Sequence, residues 1–129
     1  MKFNMRLIPG IYMHAARSDE LDAQRRVCLK FIEQQAEFNI GDVVEEYVDA
    51  PKFEITYERP ALARLLADAE AGRFNMLVVS DGTRLAHDAQ LLVQLLLDMT
   101  AFDVSVVFAN ERFCTDPALH AKLFMHSSG

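Results

Sequence analysis

Several features that would place a protein in a specialised class are missing from this sequence. It has two cysteines, Cys28 and Cys114, far apart and without metal-ligand spacing. That pattern argues against a disulfide framework and for a reducing cytoplasm. Its apolar runs are short, and Leu91–Leu97 is interrupted by Gln94, so no segment is expected to cross a bilayer. The N-terminus has neither the apolar stretch nor the small-residue cleavage site of a secretory signal. No Gly-rich phosphate loop, internal repeat, low-complexity tract or linker is visible. A basic surplus is missing too. Thirteen Lys and Arg face nineteen Asp and Glu, a formal charge of −6, and Arg25-Arg26 is the one adjacent basic pair. Phosphate neutralisation supplies most of the non-specific affinity of nucleic-acid binders. A chain that holds DNA by itself is therefore disfavoured, although a local basic patch stays open.

What is present is a globular composition, 51% hydrophobic and 25% charged over 129 residues, enough for one domain spanning 1–129. Strand-like and helix-like periodicities alternate along it. Leu7 to Ala15 reads as a first strand, weakened at its start by Pro9 and Gly10. Ser18-Asp19 then reads as a helix N-cap, with Leu21, Cys28 and Phe31 or Ile32 on one face of a helix reaching about Ala36. Asp42 to Val48 reads as a second strand, followed by a loop from Asp49 to Tyr57 broken by Pro51. Pro60 suits the first turn of a helix. Leu62, Leu65, Leu66 and Ala69 repeat at i, i+3, i+4 and i+7, and Gly72 suits the residue past its end.

Met76 to Val79 is a continuous apolar run, the pattern of a strand buried on both faces. Asp81-Gly82-Thr83 reads as a turn. Asp88 to Ala101 is a helix with Leu92, Leu95, Leu96 and Met99 on one stripe and Val93 and Leu97 off it. So wide an apolar circumference predicts burial on more than one side, or a partner on the surplus surface. Val104 to Ala109 is a fourth strand and Asp116 to Phe124 a short final helix. The alternating order predicts an α/β three-layer sandwich with a mainly parallel central sheet. Sites in such folds lie at the carboxyl ends of the strands, here His14–Arg17, Ser80–Asp88 and Asn110–Thr115.

Three segments carry a family resemblance: Glu45-Glu46-Tyr47-Val48-Asp49, Glu58-Arg59-Pro60-Ala61-Leu62, and Leu65 through Phe74. It continues through Leu77-Val78-Val79, Asp81, Arg84-Leu85 and Asp88, with Ile11-Tyr12 and Leu21 to Gln24 as an opening motif. Together these resemble the catalytic domain of serine recombinases, the transposon resolvases and DNA invertases, over about Arg6 to Pro117. The resemblance implies a DNA strand-exchange enzyme that works without metal or other cofactor. A serine after the first strand attacks a phosphodiester, forms a 5′-phosphoserine link and releases a 3′-hydroxyl, while clustered arginines stabilise the transition state.

Against that pattern the departures are specific. Where the family has Tyr-x-Arg-Val-Ser, this chain has Tyr12-Met13-His14-Ala15-Ala16. The nucleophile position is Ala16, or Ala15 when counted back from Gln24. Where the family has an acidic residue, Arg-Leu, a second arginine and Asp, this chain has Thr83-Arg84-Leu85-Ala86-His87-Asp88. Arg59, Arg84 and Asp88 match; His14 and His87 stand where arginines are expected. Imidazole does not replace a planar, always-charged guanidinium. The family's long dimerising helix and DNA-binding region are also expected to be absent after Pro117.

The resemblance therefore leaves Arg59 and Arg84 as phosphate-binding candidates, or as partners of Glu58 or Asp81. Ser18 is an alternative nucleophile against an ordinary helix cap, and Ser80 reads as a strand-end residue. His14 and His87 with Asp81 or Asp88 contain metal-ligand types, against simple drift after loss of catalysis. Cys28 reads as a buried small residue and Cys114 as a loop thiol. The leading expectation is a catalytically inactive relative acting through protein contact, as a homo-oligomer or as a modulator of a recombinase or another DNA-processing protein. An enzyme using Ser18 or a histidine-centred site is the alternative. A nucleotide or small-molecule sensor ranks last, for want of a phosphate loop.

Overall fold

A computed structural model describes residues 6–35, 37–50 and 59–125. Four strands run parallel: β1 (Pro9–His14), β2 (Glu45–Asp49), β3 (Met76–Val79) and β4 (Ser105–Phe108). A two-residue β5 (Phe113–Cys114) pairs antiparallel with β4, giving the order β2-β1-β3-β4-β5. The helices are α1 (Ser18–Glu33), α2 (Pro60–Glu70), α3 (Gly82–Leu85), α4 (Ala89–Ala101) and α5 (Pro117–Phe124).

Strand residues alternate between two cores, as the two-residue period of a strand requires. Tyr12, Leu77, Val79, Val106 and Phe108 pack with α2 and α4 residues such as Leu65 and Met99. Ile11, Met13, Met76, Val78 and Val107 pack on the other side with Cys28 and Phe31 of α1 and Leu119 and Leu123 of α5. Both faces of the sheet are thus covered, which explains why β3 reads as an unbroken apolar run rather than an alternating one. Each fully buried Leu- or Met-sized side chain contributes about 1.5–3 kcal/mol.

Several ends are set by local chemistry. Asp88 caps α4 by accepting from the Gln90 and Leu91 N–H groups at 2.7 and 3.3 Å. Asp116 does the same for α5. Past the end of α2, Gly72 takes φ +79°, the left-handed conformation that favours glycine.

The structure corrects the expected bounds in six places. The second strand is Glu45–Asp49 rather than Asp42–Val48, so Asp49 closes the strand instead of opening a loop. Residues 51–57 of that expected loop lie outside the described residues. Ser18 begins α1 and is not its cap; Arg17 holds the cap position with no side-chain cap, and ion-pairs with Asp19 at 2.9 Å instead. The same helix ends at Glu33, and Ala36 lies outside the described residues. The Asp81–Thr83 turn is the start of the one-turn helix α3. Cys114 lies buried in β5, not in an open loop. Finally, α4 is buried on one stripe only. Leu95 and Met99 are buried, Leu92 and Leu96 partly so, while Val93 and Leu97 are exposed. No helix among the described residues is long and apolar enough to cross a membrane.

Candidate functional site

The carboxyl end of β1 is held by α1. Gln24, buried, accepts from the His14 main-chain N–H at 3.0 Å and donates to the His14 carbonyl at 3.1 Å. The next residue, Ala15, is buried and donates its N–H to the Asp49 carbonyl at 3.2 Å. Ala16, Arg17 and Ser18 then emerge into solvent. The strand end thus fixes the main chain tightly, yet offers methyl groups at both positions where the resemblance expects a hydroxyl.

Behind that end lies a buried polar network. Asp49 closes β2 inside the protein, where an unpaired carboxylate would be costly. Its two oxygens accept from the Ala61 N–H at 2.8 Å, the Leu62 N–H at 3.0 Å and the Tyr12 hydroxyl at 2.8 Å. It therefore caps α2 from another element, because the residue at the cap position, Arg59, supplies no acceptor. Tyr12, wholly buried, gives its one proton to Asp49 and accepts from Arg59 Nε at 3.1 Å and Nη2 at 2.8 Å. Burial first, and then the bond to Asp49, raise the Tyr12 pKa far above the ordinary phenol value, with Arg59 opposing. The phenol stays a proton donor at any physiological pH. Arg59 Nη2 also donates to the Arg84 and Leu85 carbonyls at 3.2 and 2.6 Å, and its guanidinium lies 5.3 Å from the Tyr12 ring centroid. The charge of Arg59 is thus spent largely inside the fold, tying the start of α2 to β1 and to the end of α3.

The segment after β3 is organised differently. Asp81 accepts from Thr83 Oγ1 at 2.6 Å and from Ser80 Oγ at 3.5 Å. Glu111, from the β4–β5 connection, accepts from the Gly82 N–H at 2.6 Å. Arg84 points its Nε toward Asp81 at 4.0 Å, near enough for charge attraction but beyond hydrogen-bond length. That Nε is buried and has no hydrogen-bond partner among the described residues, although the side chain as a whole is partly exposed. His87 is exposed, and Asp88 is occupied in capping α4. His14 has its pKa lowered, first by burial and then by the Arg59 charge, with a smaller push from His87; Asp49 and a hydrogen bond with the Arg84 main chain oppose. Its charged form is thereby disfavoured.

His14, Arg59, Arg84 and His87 therefore gather at one end of the sheet. Ser18 is exposed at the head of α1. The metal alternative built on His14, His87 and Asp81 or Asp88 is corrected: among the described residues no three His, Cys, Asp or Glu side chains are grouped to hold an ion. Glu58, the other suggested partner of an arginine, lies outside the described residues. Sequence reasoning did not single out Tyr12 and Asp49 as site residues. A readable signal existed: an acidic residue closing a strand, ahead of a helix whose cap position holds an arginine, leaves helix N–H groups in need of that carboxylate.

Solved structures share this arrangement of elements. The N-terminal catalytic domain of TP901-1 integrase is 24% identical, with TM-score 0.73, over 91% of this chain and 88% of that one. A resolvase family site-specific recombinase from Streptococcus pneumoniae is 20% identical, with TM-score 0.75, over 92% and 83%. The C-terminal catalytic domain of ISC1926 TnpA, an IS607-like serine recombinase, is 16% identical, with TM-score 0.64, over 78% and 68%. Comparison with curated proteins gives no match. The family model for the resolvase N-terminal domain matches residues 14–128, from the last residue of β1 through α5. With a mostly parallel five-stranded sheet and a family model matching most of its length, the chain belongs to the resolvase N-terminal domain family.

Proposed function

We propose that this chain is a resolvase-family domain that does not cleave DNA and acts through protein contacts. The observation that carries the reading is the end of β1. Its main chain is clamped by Gln24, and its next two side chains are the methyl groups of Ala15 and Ala16. A methyl group cannot attack phosphorus, and covalent strand cleavage needs an activated oxygen at that place. Supporting features are a His14 whose charged form is disfavoured by burial, the replacement of a second arginine by His87 and the inward commitment of Arg59, which together leave little positive charge for a phosphorane-like transition state. The formal charge of −6 fits a protein partner better than a bare duplex. The family is typically oligomeric, so a non-cleaving member can occupy a subunit place in a recombinase assembly.

The test is covalent capture. The purified chain is incubated with a pool of nicked duplexes of random sequence, and adducts are sought by denaturing electrophoresis and peptide mass spectrometry. No protein–DNA adduct is expected. An adduct that disappears in Ser18→Ala would overturn the reading in favour of an enzyme. A pull-down from native lysate with nuclease present identifies the partner; recovery of DNA and no protein counts against protein contact.

One observation favours a second, narrower reading. The orphan Nε–H of Arg84 is a donor that a phosphate oxygen would satisfy, so weak anion binding at Arg84 is compatible with loss of cleavage. Titration with a short oligonucleotide, compared between the parent and Arg84→Ala, separates it from a site with no anion contact.

A further inference from the structure

The outer edge of the sheet is closed by a side chain. Along β4 the main chain alternates its partners. Ser105 and Ala109 donate toward β3, to the Asn75 and Val79 carbonyls at 3.0 and 2.9 Å. Val106 turns the other way: its carbonyl accepts from the Thr115 N–H at 3.0 Å, and its own N–H donates to Thr115 Oγ1 at 2.9 Å. The antiparallel register sets Cys114 opposite Val107, so the Cys114 N–H points away from the sheet. An outward donor of this kind is what an edge strand offers to another chain. Here α5 covers it, because His120 Nδ1 accepts from the Cys114 N–H at 3.0 Å. The same imidazole sits in a file of rings that runs from the sheet to α1. Its centroid is 5.3 Å from that of Phe113 and 5.6 Å from that of Phe124. Phe108 lies 6.2 Å beyond Phe113, and Phe31 lies 5.7 Å beyond Phe124.

We propose that His120 is a proton-sensitive latch, holding α5 to β5 and closing the sheet edge while its ring is neutral. Accepting at Nδ1 needs the lone pair there, so the proton of the neutral ring sits on Nε2. Protonation places a second donor at Nδ1, facing the Cys114 N–H, and this bond is lost. Imidazole is the side chain that ordinarily changes charge in mild acid, so mild acid is the signal the contact reads. The ionisable groups around the ring do not favour the cation. Arg112, on the β4–β5 connection, already holds its guanidinium 5.1 Å from the Phe124 ring centroid, next to where the new charge would form. Glu111 on the same connection is turned to the Gly82 N–H at 2.6 Å. From β5 the neighbour is the buried Cys114 thiol. From α1, which packs on Phe124 through Phe31, it is the buried Cys28 thiol on the same helix face. On α5 itself, Asp116 caps the helix through Oδ1 and accepts the His120 N–H on its carbonyl at 2.7 Å, while Lys122 is exposed. Among the described residues no carboxylate pairs with the imidazole. Leu119 and Leu123 anchor α5 in the core separately, so the release is local and opens the edge without unfolding the domain. The latch operates whether or not the chain cleaves DNA.

Nuclear magnetic resonance on the nitrogen-labelled chain tests this. At pH 7.5 a scalar coupling is expected across the N–H···N bond from Cys114 to His120 Nδ1, with ring-nitrogen shifts of the Nε2–H tautomer. At pH 5.5 the coupling should be gone and the ring shifts should be those of imidazolium. Over the same interval the exchange protection of the Cys114 amide, corrected for its intrinsic rate, should fall roughly tenfold more than that of Val78 in central β3, which reports any global loss. His120→Asn sets a carboxamide oxygen near the place of Nδ1 and takes up no proton, so it should keep the Cys114 amide protected at both pH values. His120→Leu offers no acceptor and should lower that protection at both. The absence of the coupling at pH 7.5 overturns the proposal. So does a ring that stays neutral at pH 5.5, and so does a Cys114 protection that ignores a ring seen to protonate. Equal losses at Cys114 and Val78 overturn it too, as does an acid response in His120→Asn that matches the parent's.

Discussion

Arg59 and Arg84 come from neighbouring parts of one family pattern and meet opposite fates. Arg59 donates to a buried phenol and two main-chain carbonyls, and is linked through Tyr12 to the Asp49 carboxylate. Arg84 keeps a buried Nε–H with no hydrogen-bond partner among the described residues and a carboxylate 4.0 Å away. The contrast teaches that a matched residue is not a matched role. One guanidinium holds elements together; the other holds a donor in reserve. A motif match fixes residue type and position, and the surrounding acceptors decide which of these a guanidinium becomes.

The largest effect should come from breaking the Arg59 side. Asp49→Ala leaves the buried Tyr12 hydroxyl and two α2 N–H groups without their acceptor. A loss of about 3–5 kcal/mol is expected by urea titration, since each buried donor left unsatisfied costs about 1–3 kcal/mol. A loss below 1 kcal/mol would mean that the network is not holding the fold.

A smaller effect should come from acid. The folded-state pKa of His14 is lowered from 6.5, so the unfolded chain takes up the proton first as pH falls. By linkage, stability is fully retained above pH 6.5 and declines as pH drops below that value toward the folded-state pKa. His14→Gln should flatten this part of the profile, measured as urea midpoints at pH 7.5 and 5.5. An unchanged slope would assign the acid sensitivity to another group. Smallest of all is Arg84→Ala, expected to move stability by no more than about 0.5 kcal/mol, as for a side chain without a satisfied buried bond. A loss similar to that of Asp49→Ala would erase the distinction between the two arginines.

Much of the fold was legible because its signals are local. The Leu62-Leu65-Leu66-Ala69 stripe, the apolar run of β3 and the Asp88 cap can each be read from a few consecutive residues. The low-ranked metal alternative finds no grouped ligands among the described residues, for a related reason. Residue types were counted at one sheet end, whereas Asp81 is turned to Thr83 and Asp88 to its own helix. The two-residue β5 is too short to display a period, and its existence depends on pairing with β4. Asp49 was the harder case. Its role is to cap a helix that begins eleven residues later, so the signal is legible only when the strand end and the distant arginine at the cap position are read together. The wide apolar belt of α4 was visible, but not which part of it the sheet would cover. Only packing separates the buried Leu95 and Met99 from the open Val93 and Leu97.

The Gln24 clamp has one more consequence, for reversibility. Counting along the sequence left two positions, 15 and 16, for the missing hydroxyl. The clamp aims the chain so that residue 15 faces inward and residue 16 outward. Only the second of these can present an atom to a molecule arriving from solvent. Because the clamp is a neutral amide holding main-chain atoms, it works whatever side chain follows and at any pH. A side chain placed at position 16 by Ala16→Ser would therefore face solvent, whereas one placed at position 15 would be buried.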